Sequence, residues 1–259
     1  MSSAAEEHVR ARIAAAPVAQ VPFEHWFLTS IFPEDYYLRL LDALPPLEAY
    51  SPISDGGTVA EGQYAQRYVC DVEALEAQEV ERGAGGFWTE LAAWLLGEPF
   101  KDLVLESFRI AITRRYGENV ILRTETEARL VRDFTGYAIG PHTDSPRKLV
   151  SLLFYLPRDE RLRELGTSIY VPIDADFRCD KGLHYGFERF RQVARAPYIP
   201  NALLAFAKSD QSFHGVEHVS EPGIERNLLL YNVYVTKVVA APAPAKPAAR
   251  RWPWQNKAS

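Results

Sequence analysis

"GYAIGPHTDSPRKLVSLLFYLP", residues 136–157, sets two short apolar segments on either side of a polar turn that contains Pro141 and Pro146. The second segment, "KLVSLLFYLP" (148–157), is rich in Leu, Val, Phe and Tyr and stops at a proline, so the stretch reads as strand, turn, strand. His142 and Asp144 lie two apart within the turn. Alternate residues of a strand face the same way, so a pair at a strand end can project toward one point. Two protein side chains do not complete a catalytic metal centre. A third must arrive from elsewhere, or the pair serves only to stabilise the turn through local backbone bonds.

Outward from this stretch the same texture continues. From residue 103 the chain runs through "LVLESFRIAITRRY", "NVILRTETEARLV", "GTSIYVPI", "FRQVARAPYI", "NALLAFAK", "SFHGVEHV" and "RNLLLYNVYV", each short, apolar and closed by turn residues. No helix-length segment separates these strands, which argues for an antiparallel sandwich or barrel rather than a parallel sheet. Before residue 100 the period changes. "PEDYYLRLLDALP" (33–45) and "GFWTELAAWLLG" (86–97) space their large apolar residues at three and four, as amphipathic helices do. The expected fold is mainly β, a double-stranded β-helix or jelly roll with N-terminal helices packed on one sheet. We expect an N-terminal arm over 1–20, one jelly-roll domain over 21–239, and a disordered tail over 240–259, where "AAPAPAKPAARRWPWQNKAS" can neither continue a strand nor bury a core.

At 259 residues, 47% hydrophobic and 24% charged, the chain has enough apolar surface for one substantial core. Its formal charge is −5, but the last twenty residues hold four bases and no acid, so residues 1–239 carry 25 bases against 34 acids. That balance disfavours nucleic acid as a partner. Cys70 and Cys179 form no CxxC spacing, which excludes a disulfide framework and a thiolate zinc site. The acidic N-terminus lacks the features of a secretory signal and no run is apolar enough to span a membrane, so the expected location is the cytoplasm. "RRWPW" (250–254) offers a weak surface or partner contact through the tail.

The third metal ligand is sought among His25, His184, His214 and His218. His214 sits in a strand-like segment near the end of the series, where an antiparallel return in a jelly roll brings it beside the strand that opened the barrel. Arg226, twelve residues later, begins the next apolar strand and can point into the same mouth.

The order HxD, distant His, then a basic residue, together with "SLLFYLP", "PNALLAF", "SFHGV" and "ERNLLLYNVY", resembles the iron(II)- and 2-oxoglutarate-dependent dioxygenases, in particular their prolyl-hydroxylase-like branch. The resemblance covers residues 100–237 and, more loosely, the chain from residue 21. It implies that His142, Asp144 and His214 hold Fe(II) and form the catalytic centre, since two imidazoles and one carboxylate leave open positions for an oxo acid and dioxygen. It further implies that Arg226 binds the distal carboxylate of 2-oxoglutarate as a charge-assisted pair, with Tyr155 donating a second hydrogen bond. The products would be succinate, CO2 and an oxidised small-molecule substrate, and the chemistry leaves room for stimulation by ascorbate. Halogenating relatives lack the metal carboxylate; Asp144 is present here, which favours hydroxylation.

Substrate contacts carry no motif. Arg123, Glu125, Glu127 and Arg129 alternate on one strand face, which by default is solvated. If that face instead lines the mouth, the site suits a polar substrate such as a sugar, an amino acid or another metabolite. Strand parity puts Arg132 and Lys148 nearer the metal, as candidate substrate contacts. Two competing readings are a cupin-like isomerase or hydrolase and a non-catalytic metal-binding scaffold. Neither explains an arginine at the position of Arg226.

Overall fold

A computed structural model describes residues 3–56, 64–83 and 85–241. The helices are α1 (Ala4–Ala14), α2 (Glu34–Asp42), α3 (Val72–Glu81), α4 (Phe87–Leu95), α5 (Glu98–Ser107) and α6 (Arg109–Tyr116). The strands are β1 (His25–Thr29), β2 (Ser51–Pro52), β3 (Arg67–Asp71), β4 (Val120–Phe134), β5 (Ile139–His142), β6 (Lys148–Tyr155), β7 (Thr167–Pro172), β8 (Phe190–Ala196), β9 (Ala202–Ala207), β10 (His214–Val216) and β11 (Glu225–Ala240). They form a seven-stranded sheet in the order β1-β9-β6-β11-β4-β3-β2 and a four-stranded sheet in the order β5-β10-β7-β8, with every pairing antiparallel. This is the expected jelly roll.

Each strand of the large sheet separates its residues by parity. Leu130 of β4, Leu152 and Phe154 of β6, Leu203 and Ala205 of β9, and Leu229 and Tyr231 of β11 turn outward into the core shared with the helices. Val131, Tyr155, Leu204, Phe206 and Leu228 turn inward, toward Ile169 of the small sheet. The helices therefore cover one face of the large sheet, and the other face is the inner wall of the roll.

The helices form where their apolar spacing allows. Tyr36, Tyr37, Leu40 and Leu41 make one buried stripe on α2, whose first turn carries Glu34 and Asp35 against the positive end of the helix dipole. Glu79 of α3 accepts hydrogen bonds from the N–H groups of Trp88 (3.3 Å) and Thr89 (2.8 Å), closing the N-terminus of α4 from a neighbouring helix. The N-terminal arm is also packed: Ala5, Val9 and Ile13 of α1 are buried in the helical core.

One strand expectation fails. "LVLESFRIAITRRY" (103–116) is helical, forming the second half of α5 and all of α6. Its Val, Ile and Phe content suggests a strand, but Phe100, Val104, Phe108 and Ala111 recur at three and four and are the residues that are buried. Packing against the sheet overrides β-propensity there. The tail from residue 242, with "RRWPW", lies outside the described residues.

Candidate active site

The small sheet brings the sequence-predicted ligands together. β10 lies between β5 and β7, with His214 directly opposite His142 in one pairing and opposite Ile169 in the other. Gly215 makes this approach possible, because a Cβ there would stand 2.6 Å from the carbonyl oxygen of Ile139. His142 ends β5, Asp144 follows two residues later, and the candidate ligand atoms of His142, Asp144 and His214 all lie within 4.8 Å of one another. All three residues are buried.

Their surroundings prepare them as ligands. Nδ1 of His142 lies 3.0 Å from the carbonyl oxygen of Gly140, and Nδ1 of His214 lies 3.0 Å from that of Ser212. With N–H on Nδ1 donating to those carbonyls, each ring turns an unprotonated Nε2 toward the cluster. Burial pushes the His142 pKa down to about 3, helped by the neighbouring His214, and burial likewise lowers that of His214. Both are neutral imidazoles at physiological pH. Burial alone would raise the Asp144 pKa, but Lys148, the two histidines and the Ser151 hydroxyl outweigh it and hold the group below the usual carboxylate range. Ser151 Oγ donates to Asp144 Oδ2 at 2.6 Å and Lys148 Nζ to Oδ1 at 3.1 Å. Thr143 is turned into the protein, where its hydroxyl donates to the Cys179 carbonyl (2.6 Å) and accepts from buried Lys208 (3.1 Å).

Deeper in the same cavity stands Arg226, 1% exposed. Its Nε donates to the Leu165 carbonyl (2.7 Å) and its Nη1 to Asp133 Oδ2 (2.6 Å), while Nη2 is buried without a hydrogen-bond partner among the described residues. Asp133 also accepts from Arg67 Nε (2.6 Å) and Nη2 (2.9 Å). Arg67 and Asp133 escape sequence reasoning because the β3–β4 pairing that joins them spans 66 residues and carries no motif.

The remaining candidates fall in different places. Lys148 lines the cavity, brought inward by a shift of register between β6 and β11 at Val233 and Tyr234. Tyr155 is fully buried on the inner face, its hydroxyl accepting from the Thr167 N–H at 3.2 Å and its ring centre 6.0 Å from the Arg226 guanidinium, but it does not line the cavity. Arg132 is a correction. It points to the opposite face of β4, stacks on Tyr50 and bonds Asn227 and the Pro45 carbonyl. Counting parity back from His142 is invalid, because the chain leaves the large sheet after Phe134 and enters the small one at Ile139. The strip containing Glu125, Glu127 and Arg129 does line the mouth, contrary to the default of a solvated face.

That mouth is a cleft of about 630 Å³ beside His142 and Asp144, with Asn232, Tyr234 and Tyr64 also in its walls. His184, left open by the sequence, forms a backbone bridge with His142, and its ring centre is 4.4 Å from that of His142. Its imidazole is hydrogen-bonded to the Tyr64 hydroxyl.

No family model matches the sequence, and no curated protein matches it. Among solved structures the chain is similar to prolyl 4-hydroxylase from Phytophthora capsici, at 16% identity over 97% of this chain and 72% of that one, with a TM-score of 0.54. It is also similar to SnoN, the non-heme alpha-ketoglutarate-dependent epimerase from nogalamycin biosynthesis, at 11% identity over 92% of this chain and 83% of that one, with a TM-score of 0.50. The chain has the jelly-roll fold of the 2-oxoglutarate- and iron(II)-dependent oxygenases, prolyl 4-hydroxylases among them. On that fold it carries a buried His-Asp-His cluster.

Proposed function

We propose that this chain is an iron(II)- and 2-oxoglutarate-dependent oxygenase that hydroxylates an unactivated carbon of a small polar molecule. The observation that carries the reading is the pairing, in one cavity, of a three-residue nitrogen–oxygen donor set with a buried arginine whose Nη2 has no partner among the described residues. The donor set suits ferrous iron. The orphaned donor suits a carboxylate, because a buried guanidinium N–H without an acceptor is costly. A cupin-like isomerase or hydrolase has no use for that second feature.

His142, Asp144 and His214 would hold the metal, and Arg226 would hold the far end of the oxo acid. When bound, the pair supplies dioxygen activation coupled to decarboxylation of 2-oxoglutarate to succinate, and thereby oxidises a substrate carbon. The protein's own contribution is placement. Carbonyl acceptors at Gly140 and Ser212 fix both imidazole tautomers, and Ser151 fixes one oxygen of Asp144. Leu153, Phe206, Leu228 and Leu230 wall the cavity with apolar surface and limit water. The substrate would enter the cleft past His184 and Tyr64, between the polar strip of Glu127, Arg129, Asn232 and Tyr234 and the 181–184 segment. A cleft of about 630 Å³ accommodates a small molecule, and its walls offer many hydrogen-bonding groups.

The test is a metabolite screen with iron-reconstituted protein, reading succinate. The expected result is iron-dependent succinate release in the presence of 2-oxoglutarate, raised by sugars, amino acids or related polar metabolites that fit. Iron-loaded protein that neither binds 2-oxoglutarate nor forms succinate with any substrate contradicts the reading.

A further inference from the structure

The residue after β9 is a lysine, and strand parity turns it inward. Leu203, Ala205 and Ala207 of β9 face the helical core, Leu204 and Phe206 face the inside of the roll, and the Lys208 N–H extends the β6 pairing by donating to the Leu149 carbonyl at 2.9 Å. The Lys208 side chain therefore runs inside the protein, where the residue is 3% exposed. Its Nζ donates to Thr143 Oγ1 at 3.1 Å and to the Ser209 carbonyl at 2.7 Å. Both acceptors are neutral. A buried ammonium held by neutral oxygens costs more than an apolar side chain of similar size, so stability alone does not account for a lysine at this position.

The two acceptors belong to the two segments that carry the metal ligands. Thr143 stands between His142 and Asp144 and is fully buried. Ser209 opens the turn that leads to His214: Ser212 Oγ accepts from the Ser209 N–H (2.9 Å) and donates to the Ser209 carbonyl (3.1 Å), and the Ser212 carbonyl is the acceptor for His214 Nδ1. A third segment joins the same network. The Thr143 hydroxyl donates to the Cys179 carbonyl at 2.6 Å, and the Cys179 N–H donates to the Asp210 carbonyl at 2.9 Å. From Cys179 the chain runs to His184 in the cleft wall, close against the ligand turn. Gly182 allows the approach, because a Cβ there would stand 3.3 Å from Ser145 Cα, and the Tyr185 N–H donates to the Pro141 carbonyl at 3.1 Å.

We propose that Lys208 is a positioning residue for the metal centre, acting through the Thr143 hydroxyl to hold the 142–144 turn, the 209–214 turn and the 179–185 segment as one unit. Lys208 lines neither the metal cavity nor the cleft, so it works from behind the ligands. The inference rests on the reading of His142, Asp144 and His214 as metal ligands. Charge and position predict opposite signs. A cation acting only through its charge would repel a divalent metal, and removing it would tighten binding. A residue that orients the ligands weakens binding when it is lost.

The test is titration with manganese(II), read by the electron paramagnetic resonance signal of the free ion, on protein shown to be folded by a thermal melt. Lys208→Met keeps most of the side-chain volume and removes the amine, while Thr143→Val keeps the shape and removes the hydroxyl. Each is expected to weaken manganese binding about 10- to 100-fold. Thr143→Ser retains the hydroxyl and is expected to stay within about threefold of the native protein. The double variant of Lys208→Met and Thr143→Val is expected to bind at most about threefold more weakly than the weaker single variant, because both remove one contact. Amide hydrogen exchange over 179–185 should quicken in Thr143→Val and not in Thr143→Ser. Ile13→Ala, which acts on the helical core, should leave manganese affinity unchanged, separating positioning from loss of stability. The proposal is overturned if Lys208→Met and Thr143→Val both bind manganese within about twofold of the native protein or more tightly, or if Thr143→Ser binds as weakly as Thr143→Val. Should Lys208→Met not fold, the two Thr143 variants decide alone. A native protein that binds no manganese overturns the metal-site reading on which the inference rests.

Discussion

At the scale of single residues, the site divides into groups that would touch the metal and groups that hold them. Asp144→Ala removes one of three donors and is expected to abolish metal binding while the chain stays folded, which titration with manganese and a thermal melt together check. Ser151→Ala leaves the three donors intact but frees Asp144 Oδ2 from its 2.6 Å hydrogen bond. We expect it to lower metal affinity by about 10- to 100-fold, the usual effect of removing a partner of a liganding group; unchanged affinity would show that Ser151 does not orient the carboxylate. Arg226→Ala separates the two ends of the cavity. It leaves Asp133 paired with Arg67 alone and removes the charged donor, at a cost to 2-oxoglutarate binding of about 2–4 kcal/mol. The apparent constant for 2-oxoglutarate should rise roughly 30- to 1,000-fold, while metal affinity changes little. A rise of less than about twofold would mean that another group holds the carboxylate, and Lys148 at the cavity wall would be the first to test.

At the scale of elements, the helices and the site are distinct in their demands. Ile13 of α1 is 1% exposed within the helical core, on the far side of the large sheet from the metal cavity. Ile13→Ala is expected to cost about 2–5 kcal/mol of stability, read as a lower thermal midpoint, with the 2-oxoglutarate affinity of the folded protein unchanged; a loss of affinity would show coupling through the sheet. The same elements explain what a sequence can and cannot disclose. The turn at His142 and Asp144 is readable because its chemistry is local and its flanking strands are bounded by prolines. His214 and Arg226 are readable because their order and spacing accompany that turn. The segment 103–116 misleads because its residue types favour a strand, and only the spacing of Phe100, Val104, Phe108 and Ala111 discloses the buried face of a helix. Arg132 misleads for another reason: parity describes one strand, and the chain changes sheets before it reaches His142. Arg67 and Asp133 meet only through long-range pairing, so no local pattern marks them.

At the scale of the whole molecule, the jelly roll sets two chemistries a short distance apart in one cavity. The small sheet supplies the donor set, through β5 and β10, while the inner face of the large sheet supplies Arg226 and Asp133. Residues 1–239 are acidic in sum, yet the deep end of the cavity holds a surplus positive charge fixed by buried pairs. Local arrangement, not net charge, decides what the site attracts. The central claim is that iron(II) and 2-oxoglutarate occupy this cavity together. Anaerobic addition of both to the metal-free protein tests it most directly, through the weak visible charge-transfer band that arises only when the oxo acid chelates protein-bound iron. The expected result is a band that requires both components, disappears in His142→Ala, and needs far more 2-oxoglutarate to develop in Arg226→Ala. The absence of a band in the native protein at saturating iron and 2-oxoglutarate would contradict the account, as would a band that persists unchanged in His142→Ala.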